Sequence, residues 1–335
     1  IEAIEQNFSH YTGMAGLPVV REAVCTFVEK KYNVHYDWQT EVLVTVGGTE
    51  AITATLLSIL EPGDKVLLPT PIYSGYEPVI TLAKAELIQM DTSQTDFVLT
   101  PDLLEATLEE HGDQVKAVIL NYPSNPIGVT YTREEVKSLA DVLKKYPVFV
   151  MCDEIYSELV YDETHTSIAE FIPNQTILIN GLSKSHAMTG WRIGFLFGPK
   201  ELIKEIVKVH QYLVTAASTI SQKAAYAALT TSMNAGEEMK KEYQVRRDFV
   251  FKEVSRLGFE VAKPRGAFYI FAKIPTAYIQ DSMEFCIDLA EKEQLAVIPG
   301  IAFGQAGEGY IRISYAASFE KLEEAMRRLD RYLNR

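Results

Sequence analysis

Lys184 stands between an apolar run, TILIN (176–180), and a glycine-spaced turn in the stretch GLSKSHAMTGWRIG (181–194), which also carries Arg192. A lysine at the mouth of a core strand has two uses. It can lay its stem on apolar surface and put its ammonium in water, or it can sit beside a bound carbonyl compound and form a Schiff base. Other polar residues close other apolar runs. Asp153 ends PVFVMCD (147–153) and is followed by Glu154, Ile155 and Tyr156; a carboxylate there is either a helix N-cap or a buried acid in need of a cation. Asn125 and Pro126 follow VKAVILN (115–121) in YPSNPIG, a pattern that also reads as plain turn chemistry. Gly47, Gly48 and Thr49 follow EVLVTV (41–46) and precede a helical pattern. Glycines let backbone approach a ligand and a new helix offers N–H groups to an anion, although a strand–glycine–helix turn also serves packing alone. Arg312, in YIRISYA (310–316), lies on the strand face opposite Ile311, Ile313 and Tyr315. There it is either solvated or a bidentate grip on a carboxylate.

These groups are complementary. The lysine could form a Schiff base, the acid could pair with a protonated ring nitrogen, and the glycine turn with Arg192 could hold a phosphate. Arg312 could then hold a substrate carboxylate. Pyridoxal 5′-phosphate is a ligand that needs all of these.

The elements that would position them alternate. KVLLP (65–69) and AELIQM (85–90) join the runs already named as short apolar strands, with helical patterns such as EAITATLLSIL (50–60) and REEVKSLADVLKKY (133–146) between several of them. Apolar strands alternating with helices predict an α/β fold with a mostly parallel sheet covered on both faces, and ligands on such sheets sit beyond the carboxyl ends of the strands. Residues 200–255 read as long helices. After them FEVAKPRGAFYIFAKI and GYIRISYA alternate like half-exposed strands, flanked by helices at 282–293 and 319–334. The expected division is a large domain over 1–240 and a smaller α+β domain over 241–335.

At 335 residues, 47% hydrophobic and 23% charged, the chain has the composition of an ordinary globular protein. A net charge of −13 argues against nucleic acid as the main partner. No apolar run approaches the ~18 residues of a membrane span. The 3 cysteines, Cys25, Cys152 and Cys286, form no CxxC pair, which points to a reducing, cytoplasmic setting. The 6 histidines include no HExxH-type pair, so no metal site is expected.

The order GGT, NPxG, DExY, SKxxxMxGxRxG and RxS resembles that of the class I/II aminotransferases, pyridoxal-phosphate enzymes of fold type I, along essentially the whole chain. The resemblance implies a large domain with a seven-stranded sheet, transamination by a ping-pong route, and a role for each matching residue. Lys184 would be the Schiff-base lysine and proton shuttle, and Asp153 the partner of the pyridinium nitrogen. Tyr156 and Asn125 would bond the ring hydroxyl, and Tyr73, in PTPIYSGY, would stack on the ring. Gly48, Thr49 and Arg192 would hold the phosphate, and Arg312, with Asn125, the substrate. Tyr11 resembles the tyrosine that reaches the neighbouring subunit's phosphate, which implies a homodimer; TAASTISQ (215–222) would border the same interface.

Two departures bear on these expectations. Gly181 stands where many relatives place a phosphate-binding serine. The missing charge-assisted bond is worth about 1.5–3 kcal/mol, and Ser183 or water could replace it. The chain also opens where the family is already several dozen residues along, so the resemblance implies a preceding segment that helps cover the substrate. The nearest branch contains aromatic and N-acetyl-diaminopimelate aminotransferases. The first expectation is transfer from an aromatic L-amino acid to 2-oxoglutarate, and the second is an N-acetyl-L,L-diaminopimelate aminotransferase. A cystathionine-type β-lyase and a non-catalytic cofactor-binding regulator are the remaining alternatives.

Overall fold

The computed structural model describes residues 1–334. Seven strands, β1 (Val42–Thr45), β2 (Lys65–Thr70), β3 (Glu86–Asp91), β4 (Val115–Asn121), β5 (Phe149–Asp153), β6 (Thr176–Gly181) and β7 (Gly194–Phe197), form one sheet in the order β1-β7-β6-β5-β4-β2-β3. The pairs β3–β2, β2–β4, β4–β5 and β5–β6 are parallel, while β7 runs antiparallel between β1 and β6. Burial follows composition. Strands β1, β6 and β7 are buried at every position, and β4 and β5 at nearly every one, because helices cover both faces. On one face Ile119, Met151, Ile177 and Ile179 pack with Ala51, Leu56 and Ile206; on the other Val118, Val150 and Cys152 pack with Leu104, Val136 and Leu139.

A second sheet, wholly antiparallel, takes the order β10-β11-β9-β8 from β8 (Glu260–Val261), β9 (Tyr269–Lys273), β10 (Ile298–Pro299) and β11 (Tyr310–Ser314). Helices Ser282–Glu293 and Phe319–Leu333 close a core of Ile270, Ile313, Phe285 and Leu329 with it. The helix Ala235–Arg256 touches both parts. Gly236 lies against the Ser185 carbonyl, while Val250 and Val254 join the second core.

The strands expected from apolar runs appear within a residue or two of the expected bounds. Two local details differ. The helix expected from residue 50 begins at Gly47, so the glycines are its first turn, because Glu50 reaches back to accept from the Val46 N–H at 3.0 Å and closes that end. Asp153 caps no helix; the chain turns after it, and its carboxylate accepts from the Ile155 N–H at 3.1 Å. Among the described residues no helix is long and apolar enough to cross a membrane, and no group of three or more His, Cys, Asp or Glu side chains could hold a metal ion.

Candidate active site

Strands β4, β5 and β6 end side by side, delivering Asn121, Asp153 and Gly181 to one edge. Against that edge lies a cleft of about 380 Å³ walled on its far side by Tyr269 of β9 and Arg312 of β11. Gly48, Thr49, Tyr73, Asn125, Asp153, Tyr156, Ser183, Lys184, Arg192 and Arg312 all line it. Of the residues given a ligand-binding role by the resemblance, Tyr11 alone lies elsewhere. It is 88% exposed, in a shallow groove with Phe8, Thr12 and Thr219.

Asp153 is buried, and its carboxylate accepts from the Tyr76 hydroxyl at 2.8 Å and from the Ile155 N–H. No Lys, Arg or His among the described residues comes within salt-bridge distance of it. Burial therefore dominates and pushes its pKa up to about 6, with the bonds from Tyr76 and Ile155 pulling the other way. Because the folded value lies above the unfolded one, this group favours folding only when it is protonated. Its contribution is present below pH ~4 and lost as the pH rises through about 6. Asp153→Asn is accordingly expected to stabilise the cofactor-free protein by about 1–3 kcal/mol at pH 8 and to bring no gain at pH 4, read from urea midpoints at the two pH values.

Lys184 sits in the short helix Leu182–Ser185, half-buried, its Nζ 5.4 Å from the ring centroids of both Tyr156 and Phe268. Burial lowers its pKa; Asp153 opposes this, while Arg192 and Arg312 add to it. The ammonium makes neither a hydrogen bond nor a salt bridge with the rest of the described protein. Lys184 lines the cleft, with its amine beside the rings of Tyr156 and Phe268.

The first turn of helix Gly47–Ile59 borders the cleft through Gly48 and Thr49, and a helix start leaves backbone N–H groups without partners inside the helix. Gly47 has φ +75°, and a Cβ there would stand 2.7 Å from Nη2 of Arg192. The glycine thus serves both the turn and the approach of the guanidinium, which Thr189 steadies by accepting from Nη1 at 3.0 Å. Gly47→Ala is expected to weaken phosphate and cofactor binding about tenfold or more by displacing Arg192. Titration of cofactor into the protein measures this, and unchanged affinity would separate Arg192 from the phosphate. At Gly181 a Cβ would meet Ile155 Cδ1 at 3.0 Å, so a serine fits only if Ile155 yields; Ser183, buried and lining the cleft, supplies a hydroxyl nearby.

Arg312 is mostly buried rather than solvated. Its Nη1 donates to Asn125 Oδ1 at 2.7 Å, and its guanidinium carbon lies 4.5 Å from the Tyr269 ring and 4.8 Å from the Phe303 ring. Its buried Nε has no partner. Asn125 is held in turn, its N–H donating to Asn121 Oδ1 at 3.0 Å, and Asn121 Nδ2 donates to the Asp153 carbonyl at 3.0 Å.

Asn121, Tyr76 and Tyr269 were not foreseen. Asn121 closes an apolar strand as Asp153 does, so the same signal was available for it. Tyr269 sits among apolar residues and reads as core, while Tyr76 follows Ser74 and Gly75 and reads as part of a turn.

The cleft fits a flat, cationic, phosphorylated ring compound. A buried carboxylate lacks a cation, Arg192 lies against the helix start at Gly47, and an amine lines the same cleft. A family model described as aminotransferase class I and II matches residues 2–329. The chain is 47% identical over 332 residues to a probable N-acetyl-LL-diaminopimelate aminotransferase of Bacillus subtilis, covering 99% of this chain and 84% of that one. It is 37% identical to aromatic-amino-acid aminotransferase 2 of Thermococcus litoralis, covering 99% and 86%. The solved aromatic aminotransferase from Pyrococcus horikoshii superposes with a TM-score of 0.95 at 39% identity, covering 99% of this chain and 90% of that one. The chain belongs to the class I and II aminotransferases, with their fold type I architecture and their dependence on pyridoxal 5′-phosphate.

Proposed function

We infer that this aminotransferase moves the amino group of an aromatic L-amino acid to a 2-oxo acid such as 2-oxoglutarate, with Lys184 as the group that moves the proton. The observation that carries this is the convergence of Lys184, the cation-lacking Asp153 and Arg312 on one cleft. Pyridoxal 5′-phosphate, when bound, supplies an electron sink for the pair left on the substrate Cα. Asp153 holds a proton at the ring nitrogen, which keeps that sink electron-poor. Tyr156 and Asn125 fix the ring hydroxyl, Tyr73 covers a ring face, and the helix start with Thr49, Ser183 and Arg192 fixes the phosphate. Arg312 would bind the substrate α-carboxylate and so hold the Cα–H bond within reach of Lys184. The lowered pKa of Lys184 makes its amine a usable base nearer neutral pH than a free lysine. The same amine would hold that proton and give it back from the same face of the bound ring, and the acceptor half-reaction would use the same residues in reverse.

The lining of the cleft supports an aromatic donor. Arg192 and Arg312 are the only arginines lining the cleft among the described residues, and both are engaged, which leaves none for a side-chain carboxylate. Ile52, Tyr73, Ile155 and Tyr269 offer apolar and aromatic surface instead. Similarity to the Bacillus subtilis relative favours N-acetyl-L,L-diaminopimelate as the second reading. The exposed Tyr11, beside Thr219, supports a homodimer in which it serves the partner's phosphate. Three free, buried cysteines support a cytoplasmic setting, and the two sheets support a division into two domains near residue 240.

The test follows the visible band of the cofactor-loaded protein while single L-amino acids are added. Bleaching by phenylalanine or tyrosine, restored by 2-oxoglutarate, is the expected result. Bleaching by N-acetyl-L,L-diaminopimelate alone would replace the donor and keep the mechanism; no band after loading would end both.

A further inference from the structure

Tyr269 touches the two ends of the machinery at once. It lies on β9 opposite Ser314 of β11, is 7% exposed, and lines the cleft. Its ring face carries the Arg312 guanidinium at 4.5 Å, and its hydroxyl lies 2.8 Å from that of Tyr156. For each of the two hydroxyls this is the one hydrogen bond found among the described residues. One proton lies in the shared bond and the other hydroxyl proton is left over. If Tyr156 is to donate into the cleft, the proton in the shared bond must come from Tyr269.

We propose that Tyr269 is a positioning residue that couples the carboxylate anchor to the ring-hydroxyl donor: its ring face seats Arg312, and its hydroxyl donates to Tyr156 so that the Tyr156 proton points at the ligand. The inference rests on the roles given above to Arg312 and Tyr156. The two tasks use different atoms of one side chain, which makes them separable. Tyr269→Phe keeps the face and removes the donor; Tyr269→Leu removes both. A hydroxyl that accepts one hydrogen bond is a stronger donor in the next. Losing the Tyr269 donor therefore weakens the grip of Tyr156 on a negatively charged ring oxygen, and that oxygen then holds its proton to higher pH.

The experiment has two readouts, neither of them turnover. One is the pH midpoint of the visible band in the cofactor-loaded protein without substrate. The other is calorimetric binding of 3-phenylpropanoate, an aromatic carboxylate without an amine. Tyr269→Phe is expected to raise the midpoint by a few tenths of a pH unit and to change 3-phenylpropanoate affinity by less than about twofold. In a Tyr156→Phe background the same substitution is expected to leave the midpoint where it was. Tyr269→Leu is expected to weaken the carboxylate by about 3- to 30-fold. The inference is overturned if Tyr269→Phe leaves the midpoint of a normal band unmoved, or moves it equally with and without the Tyr156 hydroxyl. Should Tyr269→Leu fail to fold, the phenylalanine pair still decides. A wild-type protein that shows no band at all would instead overturn the parent reading, and this inference with it.

Discussion

Lys184→Ala is expected to lower turnover by about 10⁴-fold or more while the protein stays folded and still binds phosphate. The size follows from the position of the amine. Lys184 is half-buried and makes no hydrogen bond or salt bridge with the described protein, so its proton is free to travel; the other cations lining the cleft are arginines, which hold theirs at any working pH. The same lack of partners means its removal leaves no buried group unsatisfied, and the thermal midpoint should move by only a few degrees. Lys184→Arg sharpens the test. It keeps the positive charge but cannot release a proton in the working range, so it should be as inactive as the alanine variant. Single-turnover kinetics with scanning calorimetry separate these outcomes, and measurable transamination by either variant would remove Lys184 from proton transfer. The pH profile adds a sign. Burial, Arg192 and Arg312 lower the lysine pKa below its usual 10.5 against the pull of Asp153, so in the protein without cofactor the neutral amine should appear at lower pH than in a peptide.

Much of this arrangement is legible in the sequence because polar residues at the ends of wholly apolar strands are conspicuous. Asp153 and Lys184 are costly unless something pairs with them, and β4 and β5 are apolar enough to show where the costly positions fall. Strand β7 escaped that reading. It is four residues long, starts at a glycine inside the lysine motif, and pairs with β1 and β6, so its existence depends on partners that adjacency does not reveal. The helix start at Gly47 escaped for a different reason. Glycine is a poor helix former, and the Glu50 carboxylate that closes the end is itself held by buried His210 at 3.0 Å, a contact across 160 positions. Tyr76 and Tyr269 bond through their hydroxyls to Asp153 and Tyr156, partners distant in the chain, and nothing beside either tyrosine in the sequence marks that bond. The family resemblance named ten residues that line the cleft and was silent on those that hold them.

Arg312→Leu is expected to lower kcat/KM for the L-amino acid by about 30- to 5000-fold, the range for losing one partner of a desolvated charge pair. The arginine is prepared for that pair. Asn125 holds one Nη, the Tyr269 and Phe303 rings lie against the guanidinium, and burial depresses its pKa, so the charge is already partly desolvated before a substrate carboxylate arrives. Arg312→Lys should recover little of the loss, because an ammonium offers no planar fork and cannot lie between the two rings in the same way. Both substrates carry an α-carboxylate, so the oxo acid half-reaction should suffer by a comparable factor. An amine that lacks the carboxylate, such as 2-phenylethylamine, supplies the control. Its slow reaction with the loaded protein should be nearly the same in wild type and Arg312→Leu, since the interaction removed was never made. If that amine is slowed as much as the amino acid, Arg312 acts by holding the cleft together through Asn125 rather than by gripping the carboxylate.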